Sequence, residues 1–222
     1  MKIDRLILGE YETNCYVLRN SDAAEDCLVI DPGLEAGELI NFLTEHKLNP
    51  VAAILTHGHI DHIAGLDALR EQFPDIKVYI HKLDAEMLTE PYTNLSAMTG
   101  FAFTTEPEDF SLEEQSIIEQ AGIKLLVLHT PGHTPGGISL YSPAPASSDT
   151  GRSGGKDEGI SFVGDTLFAG SIGRTDFPGG SMSQLLNSVK EKLFTLPDET
   201  KVYPGHGPAT TIAHEKANNP FF

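Results

Sequence analysis

Residues 56–62 read THGHIDH, which sets three histidines and one aspartate within six consecutive positions directly behind the apolar run VAAIL. Histidine supplies 9 and aspartate 14 of the 222 residues, so a chance His-x-His-x-Asp-His is on the order of one in a thousand for such a chain. Imidazoles and carboxylates at this density are ligands for a divalent cation. On a strand, side chains alternate, so His57 and His59 point to one side and can grip one ion. A turn into a helix around Asp61 and His62 splays that pair toward a second ion. Neither pair is complete, because catalytic metal sites draw about three ligands from the protein and keep a position open. Three further candidates each follow a predicted strand: His133 in HTPGHTPGG, Asp165 in FVGDT and His206 in VYPGHGP. Glycines at 132, 164, 205 and 207 give the backbone the tight or left-handed turns that let these side chains reach a crowded centre. Two cations about 3.5–4 Å apart can share a water and lower its pKa toward neutrality, which makes a nucleophile without serine or cysteine.

The elements that must carry these residues are legible from periodicity. Strands are expected at 3–8, 14–19 and 27–33, the last stopping at Asp-Pro-Gly. In GELINFLTEHKL (37–48) the apolar residues fall mostly on one helical face, and VAAIL (51–55) reads as a strand buried on both faces. A helix at 63–73, a strand at 77–81 and a short helix near 83–89 follow. Residues 90–107 carry Thr, Ser, Gly and Phe without period and read as a long loop of the kind that forms lids. The second half repeats the grammar, with strands at 123–130, 137–142, 160–167 and 201–205, a helix at 183–196 and a closing helix near 211–217. PAPASSDTGRSGGKDEG (143–159) is polar and of low complexity, and because apolar strands flank it, it reads as a flexible insertion. One domain over 1–222 is therefore expected.

Composition narrows the partners. With 32 acidic against 15 basic residues the formal charge is -17, a surface that repels phosphate backbones and anionic membranes. No nucleic-acid or membrane partner is expected. The opening MKIDRLILGEYETNC lacks a secretory apolar region, and no run approaches the roughly 20 apolar residues that span a bilayer, so the expected address is the cytoplasm. There Cys15 and Cys27 are expected as free buried thiols.

TNCY (13–16), DPG (31–33), THGHIDH, PGHTPGG (131–137), GDTLFAGSIGRTDFPGG (164–180), YPGHGP (203–208) and the tail TTIAHEKANNPFF together cover almost the whole chain. In them the sequence resembles a metallo-β-lactamase-fold hydrolase, most closely the glyoxalase II-like (hydroxyacylglutathione hydrolase-like) branch. The resemblance implies an α/β fold, a four-layer αβ/βα sandwich with its site along one edge of two sheets. It implies His57, His59 and His133 on one metal, Asp61, His62 and His206 on the other, and Asp165 bridging both. The implied reaction is thioester hydrolysis by a metal-bridging hydroxide, with Asp61 and Asp165 as catalytic carboxylates and Asp165 also orienting the nucleophile. With no thiolate in the set, zinc is the first expectation and iron or manganese the alternatives. The expected partner is a small-molecule thioester; composition leaves the oligomeric state open.

Full-length glyoxalase II proteins add a C-terminal helical region whose basic residues bind glutathione, whereas this chain ends 16 residues after His206. Arg174, Phe168, Phe177 and the loop 90–107 are the candidates to receive substrate instead. Arg174 reads equally as a local ion pair with Asp176, Asp31 as a turn former rather than an acceptor for a ligand, and Tyr203 as pocket wall or core. His46, His81, His129 and His214 lack partners at metal spacing and read as structural. The rival reaction is a persulfide dioxygenase with one iron on His57, His133 and Asp165; it leaves Asp61, His62 and His206 unused. β-Lactam hydrolysis fits poorly without an export signal, an RNA nuclease fits poorly with the acidity, and a structural zinc site would be closed by four ligands.

Overall fold

Neighbouring residues of TNCYVLR on β2 (Thr13–Arg19) belong to different cores: Cys15 and Val17 pack on one side of the strand, Tyr16 and Leu18 on the other. That alternation is what a sheet covered on both faces requires. In the computed structural model, which describes residues 1–143 and 158–222, β2 lies in a six-stranded sheet ordered β1 to β6. The strands are β1 (Lys2–Leu8), β2, β3 (Asp26–Ile30), β4 (Asn49–Ile54), β5 (Lys77–His81) and β6 (Phe110–Leu112). The first three pair antiparallel, while β3, β4, β5 and β6 run parallel. The crossovers carry α1 (Gly37–Glu45), α2 (Ile60–Ile63) and α3 (Leu66–Gln72). Leu39, Leu43, Leu66 and Leu69 of these helices close the outer face over Cys15, Val29, Ala53 and Val78.

The second sheet contains β7 (Ile117–Gln120), β8 (Ile123–His129), β9 (Ile138–Ser142), β10 (Ile160–Gly164), β13 (Lys201–Pro204) and β14 (Thr210–Thr211), ordered β14-β13-β10-β9-β8-β7. Between β10 and β13 stand a two-stranded hairpin, β11 (Leu167–Phe168) with β12 (Ser171–Ile172), and α4 (Met182–Ser188); α5 (Ile212–Asn218) follows β14. Leu185, Val189, Leu193 and Ile212 cover the sheet's outer face against Val163 and Val202. Its inner face meets the first sheet through Leu125, Val127, Leu140 and Phe162 against Leu18, Leu28, Ala52 and Ile54. The layers are thus helix, sheet, sheet, helix, the four-layer sandwich expected.

Several local expectations change. The run 27–33 leaves the sheet after Ile30, and β6, β7 and the hairpin escape periodicity because each is four residues or fewer. The helix expected at 183–196 widens into a π turn at Val189–Leu193, where the amide of Phe194 reaches the carbonyl of Val189 at 2.8 Å. The loop 90–107 contains a 3-10 turn, Ser96–Thr99. Cys15 and Cys27 are free and buried, and burial raises both thiols, Cys27 to about 12. Tyr203 packs with Tyr16 and Phe162, with ring centroids 5.6 and 5.2 Å away. Among the described residues no helix is long and apolar enough to cross a membrane. Of the proposed insertion, residues 144–157 lie outside the described residues.

Candidate metal centre

The seven predicted side chains converge where β4, β8, β10 and β13 end. They form three overlapping groups, each with ligand atoms within 4.8 Å of one another: His57, His59 and His133; His57, His62 and Asp165; Asp61, His62 and His206. His57 and His59 are not on a strand, as periodicity suggested. β4 ends at Ile54, and both rings sit in a bend whose exit is held by a 2.9 Å hydrogen bond from the Ile60 amide to the carbonyl of Asn94. They still converge, with ring centroids 4.8 Å apart. Asp61 and His62 stand in the short α2, as expected.

The two Asp165 oxygens face different rings. Oδ1 lies 3.6 Å from His62 Nε2, while Oδ2 lies 3.6 Å from His133 Nε2 and 3.5 Å from His206 Nε2. Asp61 Oδ2 approaches His206 Nε2 at 3.2 Å and His62 Nε2 at 3.4 Å. Nδ1 of His59 is 2.9 Å from Nε2 of His133. Gly205 makes this crowding possible, since a Cβ there would run into Asp165 Oδ1 and the His62 ring.

The opposite ring nitrogens have acceptors that set the tautomer. His62 Nδ1 faces Asp31 Oδ2 at 2.9 Å, His133 Nδ1 the Arg174 carbonyl at 2.7 Å, and His206 Nδ1 the Tyr11 carbonyl at 2.9 Å. His57 Nδ1 lies 3.2 Å from the hydroxyl of Thr56, which itself donates to Asp31 at 2.7 Å. With Nδ1 protonated, each Nε2 lone pair points into the cluster, the usual way a protein orients metal-binding histidines. Asp31 therefore serves as an acceptor behind two histidines as well as forming a turn, at φ 50. Its carboxylate is buried, so a turn role alone would leave its charge uncompensated.

These residues fit a cation. His57 Nε2, His62 Nε2 and Asp165 Oδ1 are buried polar atoms with no hydrogen-bond partner, a cost a folded protein bears where another group satisfies them. Burial holds His57 well below the usual histidine range and His59 at about 3, with the neighbouring rings adding to it, so both keep free lone pairs at neutral pH. Burial opposes the charge of Asp61, yet His62 and His206, themselves pushed above the usual histidine range by the carboxylates around them, hold its carboxyl well below the ordinary range through the protons that a bound cation would displace.

Two positioning residues have no signal in periodicity or spacing. Asp84, fully buried, accepts from Thr134 Oγ1 and the Gly136 amide, each at 2.6 Å, and from the Gly58 amide at 3.2 Å. It ties the bend of His57 and His59 to the loop of His133. Asn14 donates to the carbonyls of Pro204 and Gly207, both at 2.9 Å, and Thr13 forms a β-bridge with His206, so TNCY holds the His206 loop. A polar pair inside an apolar strand was the available clue.

A cavity of about 700 Å³ opens over the cluster and is walled by Leu95, Met98, Phe168, Ile172 and Phe177. Of the substrate candidates, Phe168 and Phe177 face it. Arg174 lines it too; its Nε and Nη2 donate to Asp176 at 2.8 Å and its guanidinium centre lies 3.8 Å over the Phe177 ring. His81 and His129 stack at 4.1 Å away from the cluster.

Comparison with known proteins agrees with this architecture. The chain is 39% identical over all of its length to the probable metallo-hydrolase YqgX of Bacillus subtilis (strain 168), covering 97% of that protein. It is 32% identical to the hydroxyacylglutathione hydrolase GloC of Haemophilus influenzae, over 100% of this chain and 98% of that one. Among solved structures, the BLEG-1 B3 metallo-beta-lactamase superposes with a TM-score of 0.88 at 40% identity, covering 99% of each chain. TTHA1623, crystallised in a di-iron-bound form, gives 0.80 at 34% identity over 99% of this chain and 100% of that one. A family model described as the metallo-beta-lactamase superfamily matches residues 8–146 and 145–206, and on that match and these relatives the chain belongs to the metallo-beta-lactamase superfamily.

Proposed function

We propose that the chain is a binuclear metal-dependent thioesterase acting on S-acylglutathione-type thioesters. Water adds across the acyl–sulfur bond: a carbon–oxygen bond forms, the carbon–sulfur bond breaks, and a carboxylic acid and a thiol leave. The observation that supports two cations is a complete second half-site, Asp61, His62 and His206, beside His57, His59 and His133, with Asp165 presenting an oxygen to each. When bound, a pair of divalent cations supplies an ionised water at neutral pH and polarises the acyl carbonyl. Zinc suits the imidazole and carboxylate donors, and iron is the alternative that the di-iron form of TTHA1623 brings forward.

The chain's own residues do the rest. Asp61 and Asp165 line the cavity floor, where their carboxylates can accept a hydrogen bond from the attacking water and hold it in line with the carbonyl. Asp31 and the carbonyls of Arg174 and Tyr11 keep the rings aimed. The apolar wall excludes bulk water from the acyl carbon, and the open mouth lets the leaving thiolate take a proton from solvent. The likeness to GloC supports a thioester; the likeness to BLEG-1 makes a β-lactam amide the second acyl bond to assay. Persulfide oxidation at one iron on His57, His133 and Asp165 would leave the second half-site without a task.

The test is to load the protein separately with zinc and with iron, then follow thiol release from S-lactoylglutathione, oxygen uptake with glutathione persulfide and ring opening of a penicillin. Thiol release that Asp165→Ala abolishes is expected. Oxygen uptake with one iron per chain and no thiol release would contradict it.

A further inference from the structure

Resting on that thioesterase reading, we propose that the site selects thioesters whose acyl group is a hydrocarbon chain or ring, and that the segment 95–99 is the wall that reads it. The wall is built. Asn94, fully buried, donates to the carbonyls of Met87 at 2.8 Å and Phe103 at 3.1 Å, and its Oδ1 accepts from the Ser96 amide at 2.9 Å. Its own carbonyl takes the Ile60 amide, one residue before Asp61. The base of the segment is therefore tied to the ligand-bearing helix α2, so the distance between wall and cluster is set by hydrogen bonds.

On that base Leu95 and Met98 line the cavity beside Thr99; Leu95 is buried and Met98 is exposed. Leu95 adopts a left-handed backbone, φ 70, which a residue with a branched side chain seldom does, and this turns it into the cavity lining. Met98, also lining the cavity, is 64% exposed. Phe177, lining the same cavity, stands edge-on to His59 at 5.8 Å and carries the Arg174 guanidinium 3.8 Å over its ring. Leu95, Met98 and Phe177 line the same cavity as His59, Asp61 and His133, so a hydrocarbon group held against them can present its carbonyl to the cluster.

The acyl arm is the one that fits. Thiol carriers are studded with amides and charges that this wall would strip of water without replacing their hydrogen bonds, whereas an acyl chain can be hydrocarbon throughout. Covering Met98 then gives an apolar substrate the binding that a small hydroxyacyl group cannot obtain.

The experiment compares S-acetyl-, S-butyryl-, S-hexanoyl- and S-lactoylglutathione as substrates, and S-methyl- against S-hexylglutathione as unreactive ligands by calorimetry, in the metal-loaded protein and in Met98→Ser and Phe177→Ser. We expect kcat/KM to rise about threefold per methylene from acetyl to hexanoyl, consistent with transfer of each methylene to an apolar surface that remains partly wet. S-hexylglutathione should bind at least tenfold tighter than S-methylglutathione, and either substitution should erase most of both trends. Turnover of S-lactoylglutathione equal to or above that of the hexanoyl ester, with no preference for S-hexylglutathione, overturns the inference and leaves the thioesterase reading standing. Turnover of none of the four esters overturns that reading and this inference with it.

Discussion

At the residue scale, the cluster is held by atoms that never touch its centre. Asp84 accepts three hydrogen bonds from two loops that bring His57, His59 and His133 together. Asp84→Ala would leave two amides and a hydroxyl buried without partners, at about 1–3 kcal/mol each. We expect a loss of about 3–5 kcal/mol on that basis, with Asp84→Asn milder because it keeps one acceptor oxygen; urea denaturation measures both. Asp31 is different, since it faces His62 and Thr56. Asp31→Asn should fold and yet weaken metal affinity about 10- to 100-fold, the usual cost of losing the acceptor behind a metal-binding histidine. A competitive titration against a chelating dye reads this, and unchanged affinity would remove Asp31 from the machinery.

At the element scale, the C-terminal helix carries the hairpin that walls the cavity. Glu215, buried on α5, accepts from the Gly170 amide at 2.9 Å, and Asn219 donates to the carbonyl of Ser171 at 3.0 Å and to Glu215 at 2.8 Å. These bonds fix the turn between β11 and β12, and with it Phe168 and Ile172. Asn219→Ala should raise KM severalfold while the bound metal stays the same; a fall in metal content instead would mean that the hairpin supports the cluster and not the wall. The tail TTIAHEKANNPFF stands out in the sequence, but nothing in it says that its partner lies at residues 170–171. His57 to His62 announce themselves because one local stretch holds four candidate ligands, three histidines and an aspartate, and α1 and β4 because their apolar spacing is long enough to read. β6, β7 and the hairpin are too short to show a period, and Asp84, Asn14 and Asp31 act through partners that are remote in the chain.

At the scale of the whole molecule, the two sheets meet at an edge where imidazoles and carboxylates collect and His57 Nε2, His62 Nε2 and Asp165 Oδ1 are left without hydrogen-bond partners, on a chain of net charge -17. Cations that bind only the folded state stabilise it by about 2.7 kcal/mol per site at a hundredfold excess over Kd. For a chain of this length that is a rise in Tm of about 5–10 °C per site. A scan with zinc, and again with chelator, should show it, and a Tm indifferent to both would argue that the cluster holds no cation. The most direct test of the account is the number of metal ions per chain after reconstitution and desalting, by elemental analysis, in the unaltered protein and in His206→Ala. Two are expected in the first and close to one in the second. One ion in the unaltered protein, left in place by His206→Ala, would contradict it.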